Sequence, residues 1–229
     1  MKTVVLKFGG TSVGSIDRIK NVAKIVSSYK KKKMGVIVVS SAMSGTTNEL
    51  IKKTKELSNS FDAAEYDVLL ATGEQATCAL IAGRLRHLGF KARSWMSWQL
   101  PIITEGPYSS SRISKINKRK ILSFMKSGGI PIITGFQGIN LENRITTLGR
   151  GGTDASAIML AKSTSSIIVP VAHNAGVFWP PNKFSLIKPG VIKLCFGKAI
   201  ISDNRSITDL NDQCYNCHGC SVILLSFFL

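Results

Sequence analysis

Apolar runs that stop at glycine-rich or small polar turns, each turn followed by a helical pattern, recur along this chain and limit the folds open to it. Thr3–Leu6 runs into Lys7-Phe-Gly-Gly10, and Val36–Val39 runs into Ser40-Ser-Ala-Met-Ser-Gly-Thr-Thr-Asn48. Ile130–Thr134 reads as a buried strand ahead of Thr146-Thr-Leu-Gly-Arg-Gly-Gly-Thr-Asp154. After the first turn, Ser15 is a suitable N-cap, and Ile16, Ile19, Val22, Ala23 and Val26 fall on one helical face. Glu49–Leu57 and Asp154–Lys162 read as the helices after the second and third turns. Asp67–Gln75 reads as a fourth approach, with Glu74 beside Gly73 at the start of an apolar helix reaching about His87. Strands alternating with helices over short turns predict an α/β fold with a mainly parallel sheet.

In such sheets ligands bind beyond the carboxyl ends of the strands. That is where Lys7, Gly9, Gly10, Ser41, Thr47, Glu74, Arg150, Gly151, Gly152 and Asp154 are expected. Glycines let a backbone approach anions, and a helix N-terminus offers N–H groups and a positive dipole end. Lys7 suits a phosphate as a flexible point charge, and Arg150 suits a carboxylate or phosphate through its bidentate fork. The spacing matches neither the phosphate-binding P-loop nor the dinucleotide fingerprint. Glu74 reads as a first-turn acid when taken alone. Asp154 caps its helix or faces a ligand ammonium. Two cations, two acids and a set of glycines together fit a zwitterionic substrate beside a polyphosphate.

The ordered segments KFGGTSVGS, VVSSAMSGTTNEL, LLATGEQ, TGFQG and ITTLGRGGTD closely resemble the aspartokinase family of the amino-acid kinase superfamily, in its monofunctional, insertion-free form. The resemblance covers residues 1 to about 162. It implies a three-layer α/β/α sandwich and ATP-dependent phosphorylation of the L-aspartate side-chain carboxylate, with Mg²⁺ bound to the nucleotide. It places this reaction at the start of the route to lysine, threonine, methionine and diaminopimelate. By the same resemblance Lys7 contacts the transferring phosphoryl group, and Gly9, Gly10, Gly151 and Gly152 contact phosphate. Thr47 and Glu74 hold aspartate, Glu74 at its ammonium; Arg150 pairs with a substrate carboxylate. Asp154 lies near the amino group and the reacting end, and Ser41 lines the same pocket. Phosphoryl transfer needs positioning and charge neutralisation rather than a covalent nucleophile, and the attacking carboxylate is already ionised.

Beyond Lys162 the pattern stops. The family's acid-rich nucleotide-binding loop is reduced to Gly176-Val-Phe178 and Pro181-Asn182, with His173 and Asn174 near positions of threonine and aspartate, and its Gly-Ala-Lys segment is missing. Residues 163–229 contain only Asp203, Asp209 and Asp212 as acids. The expectation is a non-native tail, of the kind a frameshift produces, in place of the nucleotide-binding portion, with no room for the regulatory ACT domains. An impaired remnant that binds aspartate alone is the rival expectation. Homo-oligomers stay open, without ACT-mediated contacts. Cys214, Cys217, His218 and Cys220 have metal-ligand spacing but no second ligand pair, so no metal site is assigned.

The 229 residues suit one sizeable domain, and 44% hydrophobic residues suffice for a core. No charged-then-apolar leader opens the chain, and a reducing cytoplasm is expected. Val222–Leu229 is too short to cross a bilayer and reads as a packed strand or an aggregation-prone end. The net charge of +17 raises a second class, nucleic-acid binding. The main clusters are Lys30–Lys33, read as a helix end, and Lys115–Lys120, read as a polar helix face. Neither has interleaved aromatics or a recognised motif, so the kinase reading is preferred.

Overall fold

The computed structural model describes residues 3–149, 151–164, 166–169, 171–173, 189–191, 194–196, 200–201 and 225–227. Arg150 and the Cys214–Cys220 cluster lie outside the described residues. Among the described residues the main sheet has seven strands. Its parallel part consists of β1 (Thr3–Phe8), β2 (Gly35–Ser40), β6 (Ile130–Thr134) and β3 (Ala92–Trp95), adjacent in that order. Beyond β1 the sheet continues antiparallel through β13 (Leu225–Phe227), β9 (Ile167–Val169) and β12 (Ile200–Ile201). Leu225–Phe227, within the apolar end of the chain, is therefore a sheet strand. Val171–His173 (β10) and Leu194–Phe196 (β11) form a separate antiparallel pair.

Helices cover both faces of the sheet, which explains why its strands are nearly continuous apolar runs. Side chains alternate between faces along each strand. Val4, Leu6, Val36, Val38, Ile130 and Ile132 pack with Ile19, Val22 and Val26 of α1 (Ile16–Lys31) and with Ile81 and Leu85 of α3 (Ala63–His87). Val5, Ile37, Val39 and Ile133 pack with Ile121 and Met125 of α4 (Arg119–Lys126) and with residues 157–161 of α5 (Gly152–Ser163). The expected three-layer α/β/α arrangement is present. Ser15 caps α1, its hydroxyl accepting from the Arg18 N–H. Among the described residues no helix is long and apolar enough to cross a membrane.

Three local expectations need correction. Glu74 is not at a helix start: α3 begins eleven residues earlier, capped by Asp62, and runs unbroken through Gly73. Gly73 is small because a Cβ there would lie 2.8 Å from the Ala42 Cβ, not because the helix begins. The strand Ile130–Thr134 does not lead straight into the 146–154 turn. A four-stranded sheet contributes β7 (Gln137–Ile139) and β8 (Ile145–Thr147) in between, alongside β4 (Ile102–Glu105) and β5 (Arg112–Ile116). Lys115 consequently lies on a strand, and only the later cations of the 115–120 cluster enter α4.

Candidate active site

The turns after β1 and β2 and the turn before α5 each have a structural reason to be small. A Cβ at Gly10 would stand 3.1 Å from the Ala42 carbonyl, where the turn after β1 meets the turn after β2. Those turns are also joined by backbone bonds: the Ser41 N–H donates to the Phe8 carbonyl at 3.0 Å and the Ser44 N–H to the Gly10 carbonyl at 3.1 Å. A Cβ at Gly9 would sit 3.4 Å from the Lys7 Nζ, in contact with the ammonium. Gly151 precedes α5 with φ +78°, in the left-handed region that favours glycine. A Cβ at Gly152 would lie 2.6 Å from the Leu148 Cβ.

These turns enclose a cleft of about 370 Å³, a size suited to a small molecule. Lys7, Gly9, Gly10, Ser41, Thr47, Glu74, Gly151, Gly152 and Asp154 all line it. Of the residues anticipated from sequence, only Arg150 lies outside the described set. Lys7 Nζ pairs with Asp154 Oδ1 at 2.9 Å across the cleft. Asp154 does not cap α5; Gly151 occupies the N-cap and no side-chain cap bond is present. The Ser41 hydroxyl donates to Thr153 Oγ1 at 3.0 Å, tying the β2 turn to the N-terminus of α5.

Glu74 is the unusual member. It is only 4% exposed. Its Oε1 accepts from the Ala42 N–H at 2.9 Å, while Oε2 has no hydrogen-bond partner among the described residues. Burial pushes its carboxyl up from the usual range to about 7, and the Ala42 N–H only partly offsets this. A buried carboxylate with one oxygen unsatisfied on a cleft wall is suited to a cation arriving with a ligand.

Sequence reading missed Thr153, Ser44, Asn48 and Phe136 on the cleft wall. Thr153 lay inside a motif already singled out, but its partner Ser41 is 112 residues away. Phe136 has φ +65°, a left-handed backbone in a non-glycine residue at a binding cleft. No sequence pattern marks that. Asp67, fully buried on α3, was also missed as an anchor. It accepts from the N–H and hydroxyl of both Ser109 and Thr147 at 2.7–2.9 Å.

Residues 2–184 match the model of the amino acid kinase family, well over half of the chain. The chain belongs to the amino acid kinase family. It is 46% identical over 164 residues to the aspartokinase of Rickettsia conorii, an alignment covering 70% of this chain and 41% of that protein. The aspartate kinase structure from Synechocystis aligns with a TM-score of 0.61 at 36% identity, covering 72% of this chain and 27% of that one. E. coli aspartokinase III, solved in complex with aspartate and ADP, shares the fold with a TM-score of 0.60 at 24% identity, over 70% of this chain and 46% of that one. The chain thus spans about 41% of the length of the R. conorii relative.

Proposed function

We propose that the cleft binds L-aspartate beside the phosphates of ATP and that the chain's reaction is phosphorylation of the aspartate side-chain carboxylate to 4-phospho-L-aspartate. The observation that carries this reading is the buried Glu74 carboxylate, its Oε2 unpaired among the described residues, on the wall of a cleft that Lys7 and a glycine cradle also line. An α-amino acid supplies the ammonium that Glu74 lacks, and Thr47 and Ser41 offer hydroxyls to its carboxylates. Arg150 belongs to the proposal as the partner of a substrate carboxylate.

The polyphosphate end fits too. Gly9 and Gly10 let the backbone come close to an anion, as does Gly151 at the N-terminus of α5, whereas the Gly152 N–H already donates to the Gly149 carbonyl at 2.9 Å. Mg²⁺ carried by the nucleotide would neutralise charge on the phosphate oxygens. Lys7 leaves Asp154 for the transferring phosphoryl group as substrates enter. Asp154, released, faces the substrate ammonium and the reacting end. The aspartate carboxylate forms the new bond to phosphorus while the bond to the ADP oxygen breaks, so no proton needs to be removed from the nucleophile. The product is the first intermediate towards lysine, threonine, methionine and diaminopimelate, and a cytoplasmic enzyme is implied.

A second reading is favoured by the thinning of family motifs after Lys162, in a stretch that the family model matches only as far as residue 184: a chain that binds aspartate without transferring phosphate. A coupled assay for aspartate-dependent ADP release, run with calorimetric titration of aspartate, separates the two. ADP release that disappears in Lys7→Ala supports the kinase. Aspartate binding without ADP release supports the remnant. Absence of both sinks the aspartate reading.

A further inference from the structure

The sheet has a second pole. Because β1, β2, β6 and β3 are parallel, their starts gather at the end opposite the cleft. The helices feeding them finish there as well: α1 before β2, α3 before β3 and α4 before β6. Each ends in cations, with Lys30 and Lys31 on α1, Arg84 and Arg86 on α3 and Lys126 on α4. Residues 18–34, 84–95 and 118–131 include no aspartate or glutamate. Among the described residues, no ion pair involves Lys30, Lys31, Lys32, Lys33 or Lys91.

Complementing a helix dipole accounts for basic residues in the last turn only. It does not account for Lys32 and Lys33, which continue the run past the end of α1. Lys33 has φ +59°, the left-handed position where a helix is normally closed by glycine. A lysine there retains charge against the backbone's preference. Beside the run is a hollow of about 370 Å³ lined by Lys24, Ser27, Ser28 and Lys31 of α1 and by Leu88 and Phe90 after α3. It therefore has both a cationic rim and an aromatic wall. That pairing is the chemistry of single-stranded nucleic-acid binding, with phosphates on lysines and a base against a ring.

We infer that this basic pole is a binding surface for single-stranded nucleic acid, separate from the cleft, with Lys31, Lys32 and Lys33 on phosphates and Phe90 against a base. A flat anionic membrane would use the lysines but leave the recessed Phe90 unused, so nucleic acid is the better fit.

The test uses the full chain and a fluorescent 20-nucleotide oligo-dT and oligo-U, titrated by anisotropy at several salt concentrations. Lys31→Glu/Lys32→Glu is expected to weaken binding about tenfold or more and to flatten the log–log salt slope by about 0.7 per lost phosphate contact. Lys52→Glu/Lys53→Glu on α2 (Thr46–Leu57), outside the lining of the hollow, makes the same change in net charge and is expected to have much less effect. Phe90→Leu is expected to cost about fivefold or more with the salt slope unchanged, its fold being checked by thermal melting. Equal weakening by the two charge reversals would mean attraction to net charge alone and would overturn the site. So would undisturbed binding in a folded Phe90→Leu variant. Binding to vesicles containing phosphatidylserine, with no binding to either oligonucleotide, would assign the pole to membranes and overturn the proposal equally.

Discussion

Glu74 sets the pH behaviour expected of the cleft. Its carboxyl is raised from 4.5 to about 7 by burial. The folded chain therefore keeps a proton that the unfolded chain gives up between those values. Stability from this group is complete below pH 4.5, falls as pH rises and is lost above about 7, a span of about 3 kcal/mol. Urea denaturation from pH 4.5 to 8 should show this decline, and Glu74→Gln should flatten it. Binding of a substrate ammonium requires the ionised form. Aspartate binding below pH 7 should accordingly release a proton, and affinity should fall towards tenfold per pH unit. Calorimetry in two buffers of different ionisation enthalpy measures that proton directly. Binding with no proton release at pH 6 would remove Glu74 from the ammonium.

Helix α3 organises the site at the next scale up. Asp67, Ala71 and Glu74 recur at helical spacing along one face. Glu74 reaches the cleft, Asp67 holds Thr147 of β8, and the Ala71 carbonyl accepts from the Gln137 side chain at 3.0 Å. The segment that leads into the Gly149–Asp154 turn is thus indexed to the same helix that carries Glu74. Asp67→Ala strands the buried N–H and hydroxyl of Thr147 and frees the part-buried Ser109, and the expected loss is about 3–5 kcal/mol in denaturant melts, with weaker aspartate binding. Gly73→Ala gives a sharper test. Alanine improves helix propensity by about 1 kcal/mol, yet its Cβ meets Ala42 at 2.8 Å, and overpacking costs about 1–3 kcal/mol. The contact is predicted to win, with lower stability and a displaced Ala42 N–H. These elements also show where sequence reading stopped. The strands β1, β2 and β6 and the helices α1 and α5 were legible because each is an apolar or amphipathic stretch with clear punctuation. Gly73 mimicked such punctuation inside α3. The three- to five-residue strands β4, β5, β7 and β8 are too short for a period to emerge.

For the whole molecule, the edge of the parallel sheet depends on a distant segment. β13 covers β1 through the register Val4↔Phe227, Val5↔Ser226 and Leu6↔Leu225. Removing residues 225–229 would uncover β1 as an apolar edge and forfeit backbone hydrogen bonds worth about 1 kcal/mol net each. Lower thermal stability and concentration-dependent light scattering are expected; an unchanged, monodisperse truncated chain would show that this pairing carries no stability. The sequence by itself determined the α/β class, the glycine turns and part of the set of residues that line the cleft, because strand alternation, helix periodicity and glycine are properties of neighbouring positions. Only the tertiary structure decided that Glu74 sits mid-helix with one oxygen unpaired and that Asp154 pairs with Lys7 rather than capping α5. It also decided that the basic helix ends meet at the opposite pole. Those facts depend on burial and on contacts between residues dozens to more than a hundred positions apart, which a local pattern does not encode. The turn that ends in Asp154 can be read as an anion site from its own residues, but its partners come from the sheet.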